Sequence, residues 1–187
     1  MDVHILLNQK GAAGEYNADQ YMKEQGHTPL GKTGKDYVPG ANGIDGVYKG
    51  ANPPPDYIIN EAKYGTSQLG MTADGKQMSN TWVTDKRLRE AGIPEDDIDN
   101  ILDGLADNDG TVQKLVTRNL PDGQLEMKEL NAVGNKKTIK QYEVERENYA
   151  KTHPDEVDAG KTQVNESKGI RSGEWYVTRY NQKSNLF

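Results

Sequence analysis

Asp45, Glu61 and Lys63 are the residues of this chain whose types and spacing could do chemistry. Glu61-Ala62-Lys63 closes the apolar run Tyr57-Ile58-Ile59, and Asp45 is the only charge between Gly43 and Tyr48. Two carboxylates held close repel each other, which raises a pKa or recruits a divalent cation that neutralises both. A cation so held polarises a phosphoryl oxygen and acidifies a bound water. An adjacent lysine can orient that water or meet the charge that develops on the phosphorus oxygens. Taken alone, Glu-x-Lys is also what an exposed strand face carries as a plain charge pair.

The elements that must position these groups can be read from the same stretch. Two short runs of β-branched and aromatic residues flank Asn52-Pro53-Pro54-Pro55, the pattern of adjacent strands joined by a turn. Alternation along the second strand puts Tyr57, Ile59, Glu61 and Lys63 on one face and Ile58, Ala62 and Tyr64 on the other. Pairing across the proline turn would bring Asp45 toward Glu61 and Lys63. Upstream, residues 14–25 form a predicted helix that closes near Gly26. Ala18 and Met22 lie three and seven positions after Glu15, so Glu15 shares the apolar face while Glu24 points away. A carboxylate on a buried face needs a reason, and a cation is one.

Asp45 with Glu61-Ala62-Lys63 at the end of an apolar strand resembles the PD-(D/E)XK nuclease superfamily. Gly14-Glu15-Tyr16-Asn17-Ala18, Tyr21-Met22 and Gly26 resemble the first helix of its restriction-endonuclease-like and Holliday-junction-resolvase-like branch. Gly75-Lys76-Gln77-Met78-Ser79-Asn80-Thr81-Trp82 resembles the nuclease toxin domains at the C-termini of contact-dependent-inhibition, Rhs and related bacterial polymorphic toxins. The resemblance covers about residues 11–90. It departs from the family pattern at Ile44, where a proline usually precedes the aspartate, and in the long loop from Leu30 to Asn42.

The resemblance implies an α/β fold, with a central mixed β-sheet flanked by helices. It implies a restriction-endonuclease-like core over about residues 11–130 and a C-terminal extension over 131–187, all one nuclease domain. Asp45, Glu61 and Glu15 would hold a divalent metal ion, Mg²⁺ first and Mn²⁺ or Zn²⁺ as alternatives. Lys63 would position or activate water, and Gln77, early in a helix after the Glu-x-Lys strand, would support the site. The implied function is hydrolysis of phosphodiester bonds in the nucleic acid of a target bacterium, DNA ahead of tRNA. A producer cell would deliver the toxin into the target-cell cytoplasm and protect itself with a cognate immunity protein.

Composition sets outer bounds. At 187 residues and 20.8 kDa the chain is large enough for one domain with a core and an appendage. It has no cysteine, which excludes disulfides, thiolate zinc sites and cysteine nucleophiles. No run approaches the length of a membrane span and no targeting segment is visible, so we expect no membrane partner and a fragment excised from a longer protein. The net charge of −6 runs against the basic footprint of phosphate binding. Lys32, Lys35, Lys49, Lys63, Lys76, Lys86 and Arg87 nevertheless cluster around the candidate site, whereas acids crowd into Glu95–Asp109 and Glu143–Asp158.

Gly26-His27-Thr28-Pro29-Leu30-Gly31-Lys32-Thr33 matches the phosphate-loop pattern letter for letter. That mechanism needs a buried strand before the loop and a helix after it. Here a helical pattern precedes it and Pro39 follows closely, so an NTPase is not expected. A short strand is predicted at Tyr37-Val38. A helix is predicted from Lys76 with Met78 and Trp82 in the core, and a second opens at Pro94. In the second, Ile98, Ile101, Leu102 and Leu105 face inward and Asp96, Asp97, Asp99 and Asp103 face solvent. Asp107-Asn108-Asp109-Gly110 lacks the calcium-loop spacing and reads as a turn. Thr111–Arg118 and Gln124–Leu130 read as a hairpin through Leu120-Pro121-Asp122-Gly123, whose Lys114, Arg118 and Lys128 could touch substrate. Ile139, Tyr142, Arg146 and Tyr149 hold helical spacing up to His153-Pro154, and Glu174–Tyr180 reads as a late strand in which Trp175 and Tyr180 pack on an edge. Two other function classes stay open. His4, His27 and His153 could serve a metal-independent ribonuclease, or the chain could be a non-catalytic nucleic-acid-binding module.

Overall fold

The computed structural model describes residues 3–33, 36, 43–155 and 177–178. In chain order the elements are α1 (Val3–Glu24), β1 (Thr28–Leu30), β2 (Gly46–Lys49), β3 (Tyr57–Tyr64), β4 (Met71–Thr72), β5 (Gly75–Lys76), α2 (Asp85–Glu90), α3 (Glu95–Asp107), β6 (Val112–Asn119), β7 (Leu125–Glu129), α4 (Ile139–Thr152) and β8 (Val177–Thr178). Six strands form one sheet in the order β1-β2-β3-β6-β7-β8, and β4-β5 form a separate hairpin. β3 and β6 run parallel and every other neighbour pair in the sheet is antiparallel. The result is an α/β fold built on a mixed sheet.

The β2–β3 pair forms as the sequence pattern requires. Val47 sits opposite Ile59 and Lys49 opposite Tyr57, and the Gly50 N–H closes the proline turn on the Asp56 carbonyl at 2.8 Å. A side chain at Gly50 would stand 1.8 Å from the Pro55 carbonyl oxygen, so the turn demands glycine there. The parallel β3–β6 pairing needs a crossover, which α2 and α3 supply. They cover one face of the sheet, where Val47, Ile59 and Val116 pack with Met78, Trp82, Leu88, Ile98 and Ile101. α1 covers the other face, where Met22 packs with Tyr48 and Ile58. Glu61 and Lys63 share the strand face of Ile59, and they extend that face past the end of the apolar core.

Several expectations are corrected. α1 starts at Val3, well before residue 14, and carries Gly14 in its interior, where the Gly14 carbonyl accepts from Asn119 at 3.1 Å. No helix starts at Lys76: Gly75 and Met78 both take positive φ, and helix begins only at Asp85 behind the Thr84 cap. Met78 and Trp82 are buried all the same. Residues 28–30, inside the phosphate-loop lookalike, pair with β2 as an edge strand. Asp97 is buried rather than solvated, accepting from the Tyr57 hydroxyl at 2.8 Å and pairing with Lys49 at 3.1 Å.

The apolar stripe expected on α4 is likewise absent. Ile139 and Arg146 are exposed, and the inner face carries Tyr149 with a charged network. Lys114 and Arg118 are not free to touch substrate. Lys114 is 3 % exposed and donates to Asn80 and to the Asn131 carbonyl, while Arg118 donates to the carbonyls of Gly65 and Ser67. Tyr37-Val38, Trp175 and Tyr180 lie outside the described residues. No helix among the described residues is long and apolar enough to cross a membrane.

Candidate functional site

The site lies past the end of β3, where the apolar face gives way to charge. Asp45 precedes β2 by one residue, and its Oδ2 accepts the Ala62 N–H at 2.8 Å. That bond ties Asp45 to the backbone between Glu61 and Lys63. Glu61 is 3 % exposed, and its Oε1 accepts from Lys63 Nζ and from Gln77 Nε2, both at 2.6 Å. Its other oxygen, Oε2, is buried with no hydrogen-bond partner. A buried carboxylate oxygen left without a donor is costly and uncommon.

Gln77 reaches Glu61 from a turn rather than from a helix. Its N–H donates to the Gly70 carbonyl at 2.8 Å and its Oε1 accepts the Gly70 N–H at 3.3 Å. The turn is backed by the loop after β7, whose Ala132 carbonyl accepts from Asn80 N–H at 2.8 Å. Glu15 comes from α1. A hook fixes that stretch of helix: Asn119 at the end of β6 donates to the Gly14 carbonyl at 3.1 Å and accepts from Asn17 at 3.0 Å. Ala18 and Met22 are buried below, while Glu24 is exposed. The helix thus presents Glu15 to the same cleft as Asp45, Glu61, Lys63 and Gln77, a space of about 820 Å³.

Charge crowding dominates the electrostatics. Burial, then the negative charge of Asp45, push the Glu15 carboxyl up to about 8 against the pull of Lys63. Asp45 and Glu61 titrate as a pair. Burial raises both, repulsion from Asp45 raises Glu61 further, and Lys63 lowers both. The Ala62 N–H favours ionised Asp45, so Asp45 is the first of the pair to lose its proton.

These observations test whether a divalent cation fits. Among the described residues no three His, Asp or Glu side chains stand close enough together to hold a metal ion as they are placed, so Glu15 would have to move toward Asp45 and Glu61 to join one. What is present is an open arrangement: an orphaned carboxylate oxygen on Glu61, Asp45 beside it, and a third carboxylate on Glu15. All three are held toward their neutral forms by burial, and the repulsion that Asp45 exerts on Glu15 and Glu61 is what a cation would relieve. The donor set is all oxygen, which suits a hard cation such as Mg²⁺ or Mn²⁺ better than Zn²⁺.

The remaining motifs stay out of this cleft. His27 Nδ1 accepts the Ala51 N–H at 3.1 Å and burial lowers its pKa. His153 caps α4 and stacks on Tyr149 with ring centroids 4.2 Å apart. The side chain of His4 lies outside the described residues. In the phosphate-loop lookalike, Lys32 is folded back onto the protein, donating its N–H to the Ala91 carbonyl at 2.8 Å and its ammonium to the Glu90 carbonyl at 2.9 Å. Sequence reading overlooked Asp19, fully buried between Tyr48 at 3.2 Å and Lys23 at 2.6 Å. Its position four residues before Lys23 was the available signal. Compared with protein-family models, curated proteins and solved structures, the chain finds no match in any of the three.

Proposed function

We propose that this chain is a metal-dependent nuclease with a restriction-endonuclease-like core. One observation carries the reading. Glu61 keeps a buried oxygen without a partner, beside Asp45, while its other oxygen is held by Lys63 and Gln77. No N–H or hydroxyl reaches that oxygen, and its neighbour is a second carboxyl group with which it can only share a proton; a cation that replaces the proton serves both.

Asp45 and Glu61, with Glu15, would hold the cation. When bound it supplies Lewis acidity toward a phosphate oxygen and acidifies water. Gln77 keeps the Glu61 carboxylate in one orientation. Lys63, once a cation shares the negative charge of Glu61, offers its ammonium to the attacking water or to the charge building on phosphorus. Water adds to phosphorus, the bond from phosphorus to one sugar oxygen breaks, and the leaving oxygen takes up a proton. The resemblance extends the reading to a toxin acting on DNA or tRNA in a target-cell cytoplasm and neutralised by an immunity protein in the producer. Incubation with plasmid DNA and with total RNA, each with Mg²⁺, Mn²⁺, Zn²⁺ or EDTA, tests it. Cleavage that needs metal is expected, and cleavage persisting in EDTA contradicts it.

A further inference from the structure

The walls of the cleft restrict which nucleic acid can reach its floor. Glu61 is 3 % exposed. The cleft above it, of about 820 Å³, is walled by α1 at Glu15, by the segment from Gln68 to Asp74 and by α2 at Lys86 and Glu90. A volume of that order encloses a ligand of small-molecule size, which corresponds to one or two nucleotides and not to a stretch of duplex. Because Glu61 lies on the floor of the cleft, a phosphodiester brought to it carries its flanking nucleotides between the walls, where an unpaired strand needs less room than a duplex.

Charge points the same way. Duplex binding is carried by lysines and arginines that neutralise several phosphates at once. In this cleft Lys63 is held on Glu61 at 2.6 Å and Arg87 on Asp74 at 2.8 Å. Lys86 projects, its side chain 82 % exposed and 3.8 Å from Glu90. Among the described basic residues of the cleft it is the one placed to take a phosphate.

Gly70 supplies an independent observation. It lines the cleft, its φ is not in the left-handed region, and a Cβ added to it would meet no atom within 4 Å. Its backbone is bonded to Gln77, the same side chain that holds Glu61. Neither a turn nor internal packing asks for glycine there. Glycine also serves where a foreign backbone must pass close to the chain, and the space beside Gly70 on the cleft wall is open for one.

Building on the nuclease reading, we propose that the cleft takes one unpaired nucleic-acid strand, of DNA or RNA. Its sugar–phosphate backbone runs against Gly70 and a phosphate is met by Lys86. The test uses the full chain with Mg²⁺ or Mn²⁺ and short oligonucleotides of one sequence, single-stranded or as blunt duplex, each as DNA and as RNA. Single strands of at least one sugar type should be cut, with the matching duplex at least about a hundredfold slower. Gly70→Val should lower kcat/KM on the preferred strand about tenfold or more with Tm unchanged. Duplex cut within about threefold of the single strand overturns the proposal and leaves the nuclease reading standing. Gly70→Val cutting at the unmodified rate also overturns it. Should Gly70→Val lower Tm, the strand comparison on the unmodified chain decides alone. No cleavage of any oligonucleotide by a chain that cuts plasmid DNA or total RNA overturns this inference alone; no cleavage of any of these substrates removes the nuclease reading and this inference with it.

Discussion

At the scale of single residues, Glu61 and Lys63 should separate cleanly. Lys63 bonds Glu61 at 2.6 Å, yet its charge opposes an incoming cation. Lys63→Ala should therefore keep metal affinity while turnover falls by about two orders of magnitude or more. Calorimetry in which it loses metal as fully as Asp45→Ala would give Lys63 a structural role instead. Glu61→Gln should abolish cleavage without loss of stability, because it replaces a buried, repelled carboxylate by a neutral amide. Its effect on stability should depend on pH with a definite sign. The folded-state pKa of Glu61 is raised above its ordinary 4.5 by burial and then by the charge of Asp45, so above pH 4.5 the folded chain binds more protons than the unfolded one. Stability from this group is thus highest below pH 4.5 and is lost as pH rises through the raised value. The Tm of Glu61→Gln, measured without metal, should gain on that of the unmodified chain from pH 5 to pH 8. A constant difference across that range would contradict the assigned environment.

At the scale of elements, the fold depends on polar joints that lie between the apolar clusters. Lys137 is 3 % exposed on its side chain and bridges Glu129 of β7 and Glu145 of α4, the latter at 2.7 Å. Tyr142 also donates to Glu129 at 2.8 Å. This joint seats α4 on the sheet where an apolar stripe was expected. Lys137→Ala leaves two poorly solvated carboxylates facing each other and should cost about 3–5 kcal/mol in urea unfolding; a loss below about 1 kcal/mol would mean that α4 is held by other contacts. The phosphate-loop lookalike belongs at this scale too. β1 and the Lys32 bonds to residues 90 and 91 dock it against the end of α2, which removes the loop's N–H groups from any phosphate-binding arc. Saturable binding of ATP or GTP should be absent in equilibrium titration, and binding lost on Lys32→Ala would restore the NTPase reading.

The legible elements were those whose side-chain period and turn chemistry agree: β2, β3, α3 and the β6–β7 hairpin. Asp45, Glu61 and Lys63 met as the strand pairing predicted, because period-two alternation fixes which residues share a face. What sequence hid was set by long-range contacts. Gln77 was read into a helix because Met78 and Trp82 stand four apart, and nothing local announced the positive φ of Met78. Asp97 looked solvated until Tyr57 arrived from a strand forty positions away in sequence. The Asn119 hook that fixes Glu15 joins residues more than a hundred positions apart, beyond any periodicity argument.

At the scale of the whole molecule, a chain of net charge −6 keeps acids in its cleft as well as on its surface. That is a poor surface for phosphate until a cation reverses the local sign, so metal binding and substrate binding should be coupled. The central claim is that Asp45, Glu61 and Glu15 form a site for a divalent cation, and proton release tests it most directly. Burial holds Glu15, and with it the Asp45–Glu61 pair, toward the protonated state near neutral pH, and a cation must displace those protons to bind. Calorimetric titration of Mn²⁺ or Mg²⁺ at pH 7, in buffers of different ionisation enthalpy, should show one saturable site that releases on the order of one proton. Both the binding and the release should vanish in Asp45→Ala. Absence of binding in the unmodified chain, or binding that Asp45→Ala leaves intact, would contradict the account.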